Sequence, residues 1–180
     1  PLGVAQRAWA QGFGEAWSAR LLSALLTQLD MPAVKLDSRS FLRAERAAQP
    51  EVDRASSWPL LKEQLVQHTH RRIVITGFMA QNADGETVLL GRNGSDYSAT
   101  IIGALADVSR VTIWSDVAGV FSADPRLVGD ACLLPLLRLD EAAELARLAA
   151  PVLHTRTLQP VAQSCIDLNL RCSYDPESGS

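Results

Sequence analysis

The chain is 180 residues long and 47% hydrophobic, with 17 basic against 20 acidic residues and a formal net charge of −3. That is one ordinary domain's worth of core, burying roughly 70% of the surface the unfolded chain exposes, and its acidic balance argues against nonspecific nucleic-acid binding. No window approaches ~18 consecutive apolar residues and no charged-then-apolar leader opens the chain, so a membrane protein is not expected; three cysteines without a C-x-x-C spacing exclude a zinc site or a disulfide framework and fit a reducing cytoplasm.

Taken in chain order, residues 15–29 read as a helix. Trp17, Leu21, Leu22, Leu25, Leu26 and Leu29 recur at helical spacing, and so wide an apolar arc predicts a helix that is mostly buried. Residues 33–36 suit a short strand. Residues 41–58, with Arg, Glu, Gln and Ser interspersed, read as a polar, mobile excursion, and Arg43-Ala44-Glu45-Arg46 within it as a solvated face. A helix follows over 59–67 with Pro59 in its first turn. The β-branched run 72–76 is a strand ended by Gly77, and 87–90 is another, entered through the Asp84-Gly85 turn signal. Residues 96–106 form a helix rich in small residues, and 110–114 a third clear strand. Residues 140–150 are a helix with Asp140 as N-cap and Pro151 as its interruption, and 166–171 a closing strand. Helix and strand alternate, which implies an α/β sandwich with a mostly parallel central sheet.

Three segments carry candidate chemistry. Gly91-Arg92-Asn93-Gly94-Ser95-Asp96 joins a strand to a helix. Its glycines allow close backbone approach, the helix start offers free N–H groups to an anion, and Arg92 has the planar fork that suits a carboxylate or phosphate. The same residues also make an ordinary connection in which Ser95 or Asp96 caps the helix. Trp114-Ser115-Asp116 through Asp124-Pro125-Arg126 leaves the next strand. Phe121 there could flank a flat base and Arg126 reach phosphates, or Gly119 and Asp124-Pro125 could simply mark turns. Gly12-Phe13-Gly14-Glu15 opens the first helix. Glu15 either complements the helix dipole, worth about 0.3–1 kcal/mol when exposed, or pairs with an ammonium group. His68 and His70 point to different helix faces, which argues against a metal pair, and His154 reads as structural.

In order, G-x-G-E, G-R-N-G-S-D and W-S-D-V-A-G-V-F-S-A-D-P-R resemble the amino-acid kinase family and, within it, the aspartokinases. The stretch from Leu89 through Glu141 is similar to the kinase half of bifunctional aspartokinase/homoserine dehydrogenases of the methionine-branch type. The resemblance implies a three-layer α/β/α fold, incomplete at its N-terminus, and transfer of the γ-phosphate of ATP to the side-chain carboxylate of L-aspartate, the first step toward lysine, threonine and methionine. It implies that Glu15 binds the aspartate ammonium and Arg92 its α-carboxylate. Gly94, Ser95 and Asp96 would wall the substrate from the phosphates, with Asp96 orienting a catalytic lysine. Ser115, Asp116, Phe121 and Arg126 would form the nucleotide site, and Mg2+ would be held mainly by the nucleotide phosphates, with no metal site on the protein itself.

The family's K-F-G-G motif is missing, because neither Lys35 nor Lys62 has glycines beside it. Where the family has G-A-K-V-L-H this chain reads Ala149-Ala150-Pro151-Val152-Leu153-His154, and Phe13 stands where histidine is common. Residues 1–174 are accordingly expected to be the C-terminal two-thirds of an aspartokinase catalytic domain and 175–180 the start of a linker to a further region. The parent is expected to be a cytoplasmic homo-oligomer that engages neither nucleic acid nor membrane, and the 180 residues alone to be inactive. The competing expectations are a nucleotide-binding or assembly module without catalysis, and a kinase of the same fold with another acceptor.

Overall fold

The structure, a computed structural model, describes residues 3–148 and 154–176. The chain divides into two compact units, Pro1–Ser98 and Ala99–Ser180.

The first unit opens with two helices, α1 (Val4–Gln11) and α2 (Phe13–Gln28), followed by β1 (Ala33–Leu36), a 3-10 turn at Ser38–Ser40, α3 (Arg54–Gln67), β2 (Arg72–Ile75), β3 (Met79–Gln81) and β4 (Thr87–Leu89). β1 and β2 run parallel in the register Ala33↔Arg72 to Leu36↔Ile75, as the alternating pattern requires. β3, which has no signal of its own in the sequence, pairs antiparallel with β4. The ends of β1 and β2 are locked together below the surface. The Thr76 hydroxyl accepts the Ser38 N–H at 2.9 Å and meets the Ser38 hydroxyl at 3.0 Å, and Ser38 Oγ donates to the Met79 carbonyl at 2.8 Å. Both side chains are fully buried, where an unsatisfied hydroxyl would cost about 1–3 kcal/mol.

Three expectations for this unit are corrected. α2 is not mostly buried. It packs on β1 and β2 through small residues, Ala19 and Ser23, while Trp17 and Leu21 stay 68% and 70% exposed and Leu22, Leu25 and Leu29 lie exposed beside them. The wide apolar arc therefore reflects more than the one face that meets the strands. Residues 41–58 are no polar excursion either: Phe41 and Leu42 are fully buried, with Ala44 and Val52 close behind. Burial of each large side chain is worth about 1.5–3 kcal/mol. Their backbone runs along β3, with Gln81 N–H donating to the Leu42 carbonyl and Ala44 N–H to that of Gln81. Arg43 folds its guanidinium onto the Arg39 and Ser40 carbonyls and Ala44 is buried, so of the expected solvated face only Glu45 and Arg46 are exposed. Finally, α3 begins five residues before Pro59, because Asp53 caps it by accepting from Ala55 and Ser56 N–H. The cap decides the start, and Pro59 sits inside the helix.

The second unit follows from α4 (Gly94–Leu105), whose first turn still belongs to the first unit, through β5 (Arg110–Ser115), α5 (Leu139–Leu148), α6 (Thr155–Ala162) and β6 (Asp167–Cys172). β5 and β6 pair parallel over six residues. Their buried side chains Val111, Ile113 and Leu170 form one core with Ile166, just before β6, and with Val120, Ala142 and Leu158. α6 escaped the sequence reading because Pro160 lies within it. His154 caps it through Nδ1, which accepts the Arg156 N–H at 3.2 Å, the structural role expected of that histidine. The helix end at 150, the interruption at Pro151 and most of the linker after 175 lie outside the described residues. No described helix is long and apolar enough to cross a membrane.

Candidate active site

In the first unit the site grows from two chain reversals. Gly91 and Asn93 both adopt left-handed conformations, φ +79° and +56°, so the loop after β4 turns tightly enough to start α4 at Gly94. Glycine and asparagine are the residues that take this conformation at least cost. Gly94 itself is required by contact: a Cβ there would come within 2.7 Å of the Phe78 ring. Phe78, directly after the Gly77 that ends the β2 run, is also left-handed at φ +66°, which is a strained geometry for a bulky side chain.

These reversals bring Glu15, in the first turn of α2, to the first turn of α4. Ser95 Oγ donates to Glu15 Oε1 at 3.0 Å, and Gly77 N–H donates to Glu15 Oε2 at 3.2 Å. One residue on, Phe78 N–H donates to Ser98 Oγ at 3.2 Å, and Ser98 Oγ donates to the Ser95 carbonyl at 2.7 Å. Glu15, Gly77-Phe78, Ser98 and Ser95 thus close a hydrogen-bonded ring across α2, the strand end and α4. An ionised carboxylate accepts at about four positions, so Glu15 keeps acceptor capacity after these two bonds. Glu15 thus has hydrogen-bond partners on two other elements besides its place in the first turn of α2. Asp96 sits half-buried in the same turn, and burial pushes its carboxyl above the usual range. Arg92 is exposed on the preceding loop.

The structure thus brings Glu15, Gly94, Ser95 and Asp96 to one helix start, with Arg92 on the loop leading into it. Sequence reasoning missed Gly77, Phe78 and Ser98. The glycine that ends the 72–76 strand was the available signal, since a strand's carboxyl edge is where ligands approach in α/β sheets.

The second unit holds the other candidates at the end of β5 and in the stretch that follows it. Ser115 ends β5, and its hydroxyl donates to Asp116 Oδ1 at 3.1 Å. Phe121 is half-buried and bridges to Leu133, which ties the loop back through Ser122 N–H to the Cys132 carbonyl. Arg126 forms a bidentate pair with Asp124, at 3.0 and 2.8 Å. This pair holds Asp124 below the usual carboxylate range. The Arg126 side chain remains 79% exposed. Among the described residues, no group of three or more His, Cys, Asp or Glu gathers as a metal cage.

Parallel strand pairs alternating with helices define an α/β scaffold, and the chain belongs to the amino acid kinase family, whose model matches residues 2–171. It is 74% identical over 169 residues to bifunctional aspartokinase/homoserine dehydrogenase 2 of Escherichia coli (strain K12), a match covering 94% of this chain and 21% of that protein. Lysine-sensitive aspartokinase 3 of the same organism is 38% identical over 168 residues, 92% of this chain and 37% of that protein. The crystal structure of E. coli aspartokinase III in complex with aspartate and ADP matches with a TM-score of 0.91 at 34% identity, over 96% of this chain and 39% of that one. The chain spans about a fifth of the first of these relatives. Its fold is the α/β amino-acid kinase fold that the motifs implied.

Proposed function

We propose that this chain is the acceptor- and nucleotide-binding part of an aspartate kinase. The observation that carries the reading is the Glu15 carboxylate, held at the start of α4 by Ser95 and Gly77, in a chain 74% identical to an aspartokinase region. In this reading Glu15 binds the ammonium of L-aspartate, and Arg92 its α-carboxylate through a forked pair.

The aspartate side-chain carboxylate is already ionised at neutral pH, so no general base is needed. One of its oxygens attacks the γ-phosphorus of ATP. The bond from that phosphorus to the β,γ-bridging oxygen breaks, and the products are 4-phospho-L-aspartate and ADP. What the protein contributes is positioning and charge stabilisation. Gly94 gives its N–H to the Gly91 carbonyl and walls the substrate from the phosphates together with Ser95 and Asp96, whose N–H groups lie at the start of α4, where the helix end favours negative charge; Asp96 orients the lysine that a K-F-G-G segment would supply. Ser115, Asp116 and Phe121 receive the nucleotide. Arg126 meets its phosphates by exchanging Asp124 for a phosphate oxygen. Mg2+ would be held mainly by the nucleotide phosphates and would neutralise their charge. The parent polypeptide would work in the cytoplasm as a homo-oligomer.

The test is ADP release from ATP by the full-length polypeptide offered aspartate, glutamate or UMP, with the acyl phosphate of a carboxylate acceptor trapped as hydroxamate. Turnover with aspartate alone is expected. Equal or greater turnover with another acceptor would refute the reading. The 180 residues by themselves are expected to turn over negligibly, because they lack the K-F-G-G lysine.

A further inference from the structure

Ser98 has no part in the reading above, yet it joins two of the elements that carry it. It is 1% exposed, and its hydroxyl uses both of its capacities: it accepts the Phe78 N–H and donates to the Ser95 carbonyl. The second bond is an ordinary contact within one helical turn. The first is long-range and holds a bulky residue at φ +66°, a conformation that persists only where surrounding structure enforces it. The approach is close: a Cβ on Gly77 would lie 3.1 Å from Ser98 Oγ and 3.4 Å from Ser95 Cα, so a side chain there would press on the serine. Through Phe78 and Gly77 the Ser98 hydroxyl therefore governs where the Gly77 N–H points, and that N–H is one of the two donors fixing Glu15. Through the Ser95 carbonyl it also steadies the residue that supplies the other.

We propose that Ser98 is a positioning residue for the amino-acid end of the site: its hydroxyl holds the Gly77-Phe78 turn against the first turn of α4, so that the Glu15 carboxylate is preset for the acceptor's ammonium. The proposal rests on the aspartate kinase reading for the identity of that acceptor, but not for the coupling itself.

Two measurements on the full-length polypeptide test it, with Ser98→Ala and with Ser98→Thr as the variant that keeps a hydroxyl. In amide hydrogen exchange, Ser98→Ala is expected to speed exchange at Gly77, whose N–H Ser98 does not touch, by roughly the five- to tenfold equivalent of one hydrogen bond. In steady-state kinetics the same variant is expected to raise the KM for aspartate by about tenfold while that for ATP stays within about twofold, with Ser98→Thr restoring much of the loss. Unchanged exchange at Gly77 would overturn the proposal, as would equal shifts in both KM values or a threonine variant no better than alanine. A full-length polypeptide that phosphorylates no aspartate would defeat the functional reading, and Gly77 exchange would still decide the role of Ser98.

Discussion

Around Glu15, side chains and amides 20, 62 and 80 positions apart in sequence are hydrogen-bonded into one ring. Around Arg126 the guanidinium is held by Asp124, only two residues away, on the surface. The first arrangement exists only when α2, the strand end and α4 are all in place; the second needs only a local turn. A site fixed by distant elements is preorganised and loses little on binding, whereas an exposed arginine with a neighbouring partner must reorganise when its ligand arrives. The difference suits the two ligands proposed. A small zwitterionic acceptor needs exact placement of one carboxylate, while a triphosphate gains much of its binding from charge.

Breaking the preorganised side carries the largest effects. Asp96→Ala in the full-length polypeptide is expected to lower kcat by about 10²–10³-fold, the usual cost of removing one preorganised electrostatic group, with nucleotide affinity retained; loss of both together would mean that Asp96 is structural. Glu15→Gln keeps the shape and removes the charge, and the KM for aspartate is expected to rise by about 10–100-fold, as for a charge-assisted hydrogen bond. Gly94→Ala forces a methyl against the Phe78 ring and is expected to cost about 1–3 kcal/mol of stability, read as a lower urea midpoint.

Smaller effects sharpen the contrast through pH. Burial raises the Asp96 carboxyl, so the folded chain holds that proton more tightly than the unfolded one. Its favourable share is complete below the unfolded pKa and is lost as pH rises through the raised one. Asp96→Asn is therefore expected to gain stability relative to the parent above that pH while losing activity. Asp37 behaves oppositely. The Arg39 side-chain hydrogen bond holds it below the usual range, at 2.6 Å, and this stabilisation is present above the unfolded pKa and fades as pH falls through the lowered one. Asp37→Asn should thus destabilise at pH 7 and cease to do so in strong acid, as read from urea midpoints across pH. Least of all is expected from Asp124→Asn. Exposed pairs contribute little, so a shift of only a few-fold in the KM for ATP is the outcome to look for, and a loss comparable to that of Glu15→Gln would erase the contrast between the two regions.

Periodicity and turn chemistry made much of this legible. The strands at 33–36, 72–76 and 110–114 and the glycine loop before α4 were readable because β-branched runs and Gly/Asn turns are local signals. α2 was readable as a helix but not in its burial, since its packing face is Ala19 and Ser23 and the conspicuous leucines face away. The buried pair Phe41 and Leu42 was masked by the arginines and glutamates around it, and α6 by Pro160. The ring itself is built from a backbone amide beside a strained phenylalanine and from a serine in a small-residue helix. Only Gly77, ending the strand, marks the first, and the serine has no sequence signature, because what matters is the distance between elements, which only the fold sets.

The charge on Glu15 is the feature on which the account turns, and succinate isolates it: it offers the same reacting carboxylate as aspartate without the ammonium. In the full-length polypeptide, the ratio of kcat/KM for aspartate over succinate should be large and should fall by about 10–100-fold in Glu15→Gln. A ratio left unchanged by that substitution would mean that Glu15 never meets the acceptor's ammonium.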